Sequence, residues 1–137
     1  MVDIPEEEWD RVQAINLKSV FLCSKYAIPE MMKEKGGSIV NVSSTSGTYG
    51  RQGGAAYCSS KGGILALTKN MALDYAKQNI RVNCIVPSFV ATPMLESFLE
   101  AQKDGGKLRR SWLAAEPVGR FAKPEELAYA ALYLASD

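Results

Sequence analysis

Tyr57 and Lys61 stand four residues apart in the segment Tyr57-Cys58-Ser59-Ser60-Lys61, and a hydroxyl-rich run, Ser43-Ser44-Thr45-Ser46-Gly47, comes shortly before them. On a helix, that spacing stacks a phenol and an ammonium on one face. A free phenol titrates near 10, so a tyrosine that exchanges protons near pH 7 needs its anion stabilised by roughly 3 units, about 4 kcal/mol. One cation about 4 Å away, at an effective dielectric near 20, contributes on the order of 4 kcal/mol. The pair could therefore serve as a proton donor and its tuning charge. Taken alone, such a pair also arises by chance, and serines in a turn are commonplace. The elements that carry them decide the matter.

Pro5 followed by Glu6-Glu7-Glu8 predicts a helix start, because proline suits the first turn and acids there meet the positive end of the helix dipole. The helix is expected over about 6–35, with Trp9, Val12, Val20, Cys23 and Ala27 on one stripe, a kink at Pro29 and a stop at Gly36-Gly37. Asn16 falls on that apolar stripe. A buried amide must be hydrogen-bonded, so its plainest role is to satisfy the backbone of a kinked helix.

The run Ile39, Val40, Val42 predicts a strand over about 38–43, too continuously apolar for a half-exposed sheet. Its C-terminal end delivers Ser43 and Ser44, and in open parallel sheets the ligand crevice lies beyond the strand C-termini. A glycine-rich loop follows, but its spacing is neither Gly-x-Gly-x-x-Gly nor a P-loop. The central helix is expected over about 55–77, with Tyr57, Lys61, Ile64, Leu67, Met71 and Tyr75 at helical intervals. Gly62-Gly63 costs that helix about 1 kcal/mol per glycine, which points to a backbone or a partner helix packed closely there. A second buried strand is expected over about 80–86, stopped by Pro87. Short apolar helices over about 92–115 fit a lid, and Lys123-Pro124-Glu125-Glu126 opens a last helix over about 124–136.

The 137 residues allow one domain, and 47% hydrophobic with 23% charged is ordinary for a globular chain. A net charge of +1 without a basic cluster argues against a nucleic-acid surface, and no apolar run is long enough to cross a bilayer. Cys23, Cys58 and Cys84 are scattered and the chain has no histidine, so no metal site is expected and a reducing, cytoplasmic setting fits.

The strand ending in serines, the tyrosine-lysine helix and the second strand together resemble the catalytic core of the short-chain dehydrogenase/reductase family, classical type. The resemblance covers nearly the whole chain. It implies an α/β fold, a partial Rossmann-like doubly wound parallel sheet in three αβα layers, corresponding to the C-terminal half of that fold. The glycine-rich dinucleotide loop and the first strands are then expected before Met1 and a closing strand after Asp137, so that the chain alone would not turn over an alcohol. By the same resemblance Asn16, Ser44, Tyr57 and Lys61 are the catalytic positions: Ser44 holds the substrate oxygen, Tyr57 exchanges its proton, and Lys61 tunes Tyr57 and holds the nicotinamide ribose. Asn16 would order a water that connects Lys61 to solvent.

Pro87, Ser88, Val90 and Thr92 would line the nicotinamide of NAD or NADP, with Ser88 standing where the family usually has glycine. The implied activity is reversible hydride transfer between the cofactor and a small alcohol or ketone, in a homodimer or homotetramer formed through the helices at 6–35 and 55–77. The alternatives are an epimerase or dehydratase using the same Tyr-Lys pair, and a non-catalytic remnant that keeps only its association surface. For the chain as written, the flanks of Ile39, Val40, Val42, Ile80, Val82 and Ile85 are expected to be exposed.

Overall fold

A computed structural model describes residues 1–136. The single helix expected over 6–35 is three segments: α1 (Glu6–Gln13), a π-helical stretch at Ala14–Lys18, and α2 (Ser19–Lys33). The irregularity therefore falls around Asn16, while α2 runs through Pro29 to Lys33. A π turn carries an extra residue, which turns side chains to a different side, and here it brings Asn16 and Leu17 onto a later helix. The remaining elements are β1 (Gly37–Val42), α3 (Ala55–Tyr75), β2 (Ile80–Ile85), α4 (Pro93–Glu100), α5 (Gly105–Ala115) and α6 (Pro124–Ala135). Both strands and α3 end a residue or two before the expected bounds.

β1 and β2 pair in parallel, from Gly37 opposite Ile80 to Val42 opposite Ile85, with α3 as the crossover. Alternation sorts their side chains. Ile39, Ile80 and Val82 face α2 and α3, where Ile28, Met71, Ile80 and Val82 are buried against Met31, Leu67 and Tyr75. Burying each of these side chains contributes about 1.5–3 kcal/mol. Asn41 shares that face, and its amide donates to Thr68 Oγ1 at 2.9 Å, while the Thr68 hydroxyl donates to Ile64 O at 2.8 Å. On the other face, the register partners Ser38 and Arg81 both donate to Leu134 O, at 2.9 and 2.7 Å, and Arg81 also reaches Ser136 O at 2.7 Å. A cation thus meets the negative end of α6 and holds it as the third layer. Ile80 and Val82 are covered to 2% and 6% exposure, contrary to the expectation of bare flanks, whereas Val42 remains 48% exposed.

At the start of α6, Glu126 accepts from the Lys123 backbone N–H at 2.7 Å and from both Arg120 nitrogens at 2.7 and 2.8 Å. The Arg120 bonds first, and then the backbone bond, pull its carboxyl down to about 2. At the end of α2, Lys35 takes a left-handed conformation (φ 62°). A side chain there costs roughly 1–2 kcal/mol, against about 0.5–1 kcal/mol of extra chain entropy for glycine. Lys35→Gly is therefore expected to stabilise the fold by about 0.5–1 kcal/mol, read as a higher thermal midpoint; a lower midpoint would contradict the strain.

Candidate active site

Ser43 and Ser44 leave β1 at its C-terminal end. The Ser43 hydroxyl donates to Lys61 O at 2.7 Å. Ser44 is buried and extended, and its Oγ accepts from Ser46 N at 3.1 Å, which starts a single 3-10 turn at Thr45–Gly47. That turn lies directly on α3: a Cβ at Gly47 would sit 2.7 Å from the carbonyl carbon of Lys61 and 2.8 Å from Gly62 N. On its other side, Thr45 N donates to Pro87 O at 2.9 Å. Ser44 is thus fixed between the Lys61 backbone and the loop that follows β2.

Lys61 Nζ donates to Val42 O at 3.1 Å and lies 5.8 Å from the centre of the Tyr57 ring. Burial lowers the Lys61 pKa below its ordinary 10.5, and the charge of Cys84 opposes that shift. Among the described residues the ion-paired carboxylates are Glu30, Glu96 and Glu126, so none of them neutralises Lys61. Tyr57 is 38% exposed, open to an incoming molecule. The lowered pKa has a sign. Between the folded value and 10.5 the unfolded chain binds more protons, so stability rises with pH across that window. Wild type minus Lys61→Met, in denaturant melts at increasing pH, should show this rise; a flat difference would mean that Lys61 is not desolvated.

Asn16 Nδ2 donates to Ser60 Oγ at 3.1 Å, and the Ser60 hydroxyl donates to Tyr57 O at 2.7 Å. Two residues not singled out in the sequence join this seam. Gln13 Nε2 donates to Ala56 O and Ser59 Oγ, both at 3.0 Å, and Leu17 fills the space a Cβ at Gly63 would need, 2.6 Å from its Cδ2. Gln13, Asn16 and Leu17 share one helical spacing and meet Ala56, Ser60 and Gly63, which share another. That complementarity was the available signal. Gly62 and Gly63 are therefore accounted for within the chain, by the Gly47 backbone and Leu17.

The loop after β2 grips the short helices. The Ser88 hydroxyl bonds Glu116, at the end of α5, rather than standing free. Phe89 stacks on Trp112 of α5 (4.3 Å between ring centres, 14° between planes), Trp112 on Phe98 of α4 (5.9 Å), and Phe89 tilts onto Phe121 (5.6 Å). Val90 bridges to Ala122, and Thr92 Oγ1 accepts from Leu95 N at 3.3 Å to cap α4, with Pro93 as its first residue. A recess of about 220 Å³ lined by Ile85, Ser88, Phe89, Glu116 and Leu127 opens toward α6. It does not include Ser44, Tyr57 or Lys61. Among the described residues no cluster of metal-ligating side chains occurs, and no helix is long and apolar enough to cross a membrane.

The family model described as Enoyl-(Acyl carrier protein) reductase matches residues 1–137. The chain is 46% identical over 137 residues to a 3-oxoacyl-(acyl-carrier-protein) reductase, FabG, of Thermotoga maritima, covering 100% of this chain and 53% of that protein. Two solved structures superpose closely. A Burkholderia xenovorans protein described as a short-chain dehydrogenase/reductase gives a TM-score of 0.93 at 36% identity, over 99% of this chain and 52% of its own. A xylitol dehydrogenase with NAD+ bound gives 0.92 at 31% identity, over 98% and 56%. The chain spans about half the length of the curated relatives it matches, and its two parallel strands with helices on both faces are the matching part of a Rossmann-like sheet. Agreement in sequence along the whole chain, and in backbone throughout, means that the chain belongs to the short-chain dehydrogenase/reductase family.

Proposed function

We propose that the complete protein is an NAD(P)-dependent oxidoreductase that moves a hydride reversibly between a nicotinamide cofactor and a small alcohol or ketone. The observation that carries this reading is the setting of Lys61: a half-buried ammonium beside the Tyr57 ring, bonded to a strand-end carbonyl and unopposed by any carboxylate among the described residues. Tyr57 gives its proton to the substrate oxygen during reduction and takes it back during oxidation, and the Ser44 hydroxyl hydrogen-bonds the same oxygen. Asn16, on the seam behind Tyr57, anchors the water through which Lys61 regains its proton.

When bound, a nicotinamide dinucleotide supplies the hydride or accepts it. The residues fit the nicotinamide-ribose end of such a group. Lys61 has ammonium donors beyond the one spent on Val42 O, Thr92 keeps its O–H while its oxygen caps α4, and Pro87 is tied through its carbonyl to the turn that follows Ser44. The Ser88 hydroxyl is engaged by Glu116, so it need not stand against the ring. The glycine loop that would hold pyrophosphate is not among these residues. The groove between the α1–α2 helices and α3, lined by Gln13, Leu17, Phe21, Gly63 and Leu67, is where we place a second copy in a homodimer or homotetramer. The three free thiols suit a reducing cytoplasm.

The test is isotopic. NADH and NADPH deuterated at C4 are offered to the complete protein with cyclopentanone, xylulose and an acetoacetyl thioester. Deuterium on the new carbinol carbon supports the reading, and its absence with all three defeats it.

A further inference from the structure

Residues 92–119 leave the sheet edge and return to it at one place. Ala91 N donates to Ala122 O at 2.8 Å and Ala122 N to Phe89 O at 2.9 Å, so the segments before α4 and after α5 close the base of this excursion. Within it the two helices are braced by the Glu96–Arg109 ion pair and by Phe98 stacked on Trp112, and the turn between them leaves no room for a Cβ at Gly105 against Leu99 O. The lid is one body on a single base. The motion left to such a body is a tilt.

Two contacts away from the base oppose that tilt. Phe89 stacks on Trp112, and its neighbour Ser88 gives its hydroxyl proton to Glu116 Oε1, one turn further along at the end of α5. The two differ in kind. Stacked rings attract one another over a range of offsets and tolerate sliding, whereas a hydrogen bond to a carboxylate weakens steeply as its angle opens. The stack holds the lid against the loop, and the Ser88–Glu116 bond fixes its place along the loop. Among the described residues no cation pairs with Glu116, since Arg109 is taken by Glu96 and Arg120 by Glu126. Glycine at position 88 would offer no hydroxyl, so the bond depends on the departure from glycine in this chain.

The same loop reaches the reacting groups. Thr45 N, next to Ser44, donates to Pro87 O at 2.9 Å, and Thr92 at the other end of the loop caps α4. We propose that Ser88 and Glu116 are positioning residues for the substrate: their bond seats α4 and α5 on the loop after β2 and so fixes one wall of the space in front of Ser44. This rests on the oxidoreductase reading. The bond touches no reacting atom, so its loss weakens the hold on the ketone and leaves the hydride and proton steps in place.

The test is made on the complete protein, labelled with 5-fluorotryptophan, with the cofactor and ketone that turn over fastest in the deuterium experiment. Glu116→Met removes the acceptor, and Glu116→Gln keeps an oxygen that Ser88 can reach. The 19F line of Trp112, assigned by its loss in Trp112→Phe, should move in Glu116→Met and stay in place in Glu116→Gln. Glu116→Met should raise KM for the ketone about fivefold, the loss of one hydrogen bond, with kcat within roughly twofold of wild type; Glu116→Gln should restore KM. An unmoved line, an unchanged KM, a fall in kcat instead, or a glutamine variant as impaired as the methionine one overturns the proposal. Ser88→Ala provides a second route to the 19F readout should Glu116→Met fold poorly: it deletes the same bond, and Ser88 has no left-handed backbone to strain. Its Trp112 line should move as well, and a line at the wild-type position overturns the proposal. Failure of deuterium transfer in the wild type would instead defeat the oxidoreductase reading, while the 19F comparison would still decide whether the bond seats the lid.

Discussion

Tyr57→Phe in the complete protein is expected to lower kcat by about 10²–10⁴-fold, the usual worth of a positioned general acid, while the affinity for NAD or NADP stays within roughly twofold. The substitution removes one oxygen. The ring that faces Lys61 Nζ remains, as do the Lys61 bond to Val42 O and the Ser60 bond to Tyr57 O, because the latter two involve no Tyr57 side-chain atom. Cofactor binding and fold are thus left with their own contacts, and only the proton is missing. Initial-rate kinetics beside a fluorescence titration with the cofactor separate the two quantities. Turnover near the wild-type rate would end the role assigned to Tyr57, whereas parallel loss of turnover and cofactor affinity would make Tyr57 a binding residue.

Gly47→Ala should be a damaging conservative change outside the groups proposed to react. The added Cβ would meet the Lys61 carbonyl carbon at 2.7 Å, its oxygen at 2.8 Å and Gly62 N at 2.8 Å. All three atoms belong to the α3 backbone and cannot swing aside, so the turn must move. Overpacking of this kind costs about 1–3 kcal/mol, seen as a fall of several degrees in the thermal midpoint. The displaced turn carries Ser44, whose Oγ is bonded to Ser46 N inside it, and a misplacement near 1 Å costs on the order of 10²-fold in rate. Gly50→Ala supplies the control, since a Cβ there meets nothing within 4 Å. Equal behaviour of the two variants, in melting and in turnover, would show that the turn is not braced by α3.

The residues proposed to react stand out because their spacing and neighbours are themselves chemical: a strand that ends in serines, and a tyrosine four residues before a lysine. The packing beneath them was less legible. The expected stripe on α3 ran through Tyr57 and Lys61, but the buried line is Ala56, Ser60, Ile64, Thr68 and Met71, one residue round the helix. Ser60 and Thr68 look polar, yet each gives its proton to a carbonyl of its own helix and then accepts from Asn16 or Asn41, so burial costs them little. Hydropathy alone does not register that exchange. A kink was expected at Pro29, the residue that lacks an N–H; α2 continues through it to Lys33, and a π-helical stretch that no local pattern announced falls at Ala14–Lys18, where Asn16 and Leu17 meet α3. Contacts between elements distant in sequence outweighed the local signal. Likewise Ser88, expected to line the nicotinamide where the family usually has glycine, has its hydroxyl bonded to Glu116, a partner that no local pattern connects to it.

The central claim is that the strand-end serine and the helix tyrosine act on one substrate oxygen beside the lysine. A crystal structure of the complete protein with oxidised cofactor and a bound secondary alcohol tests it directly. The account predicts the alcohol oxygen within about 3.2 Å of both Ser44 Oγ and Tyr57 Oη, with Lys61 Nζ on the same side of the sheet edge. An alcohol oxygen bonded to neither, or seated in the recess beside Ser88 and Glu116, would contradict it.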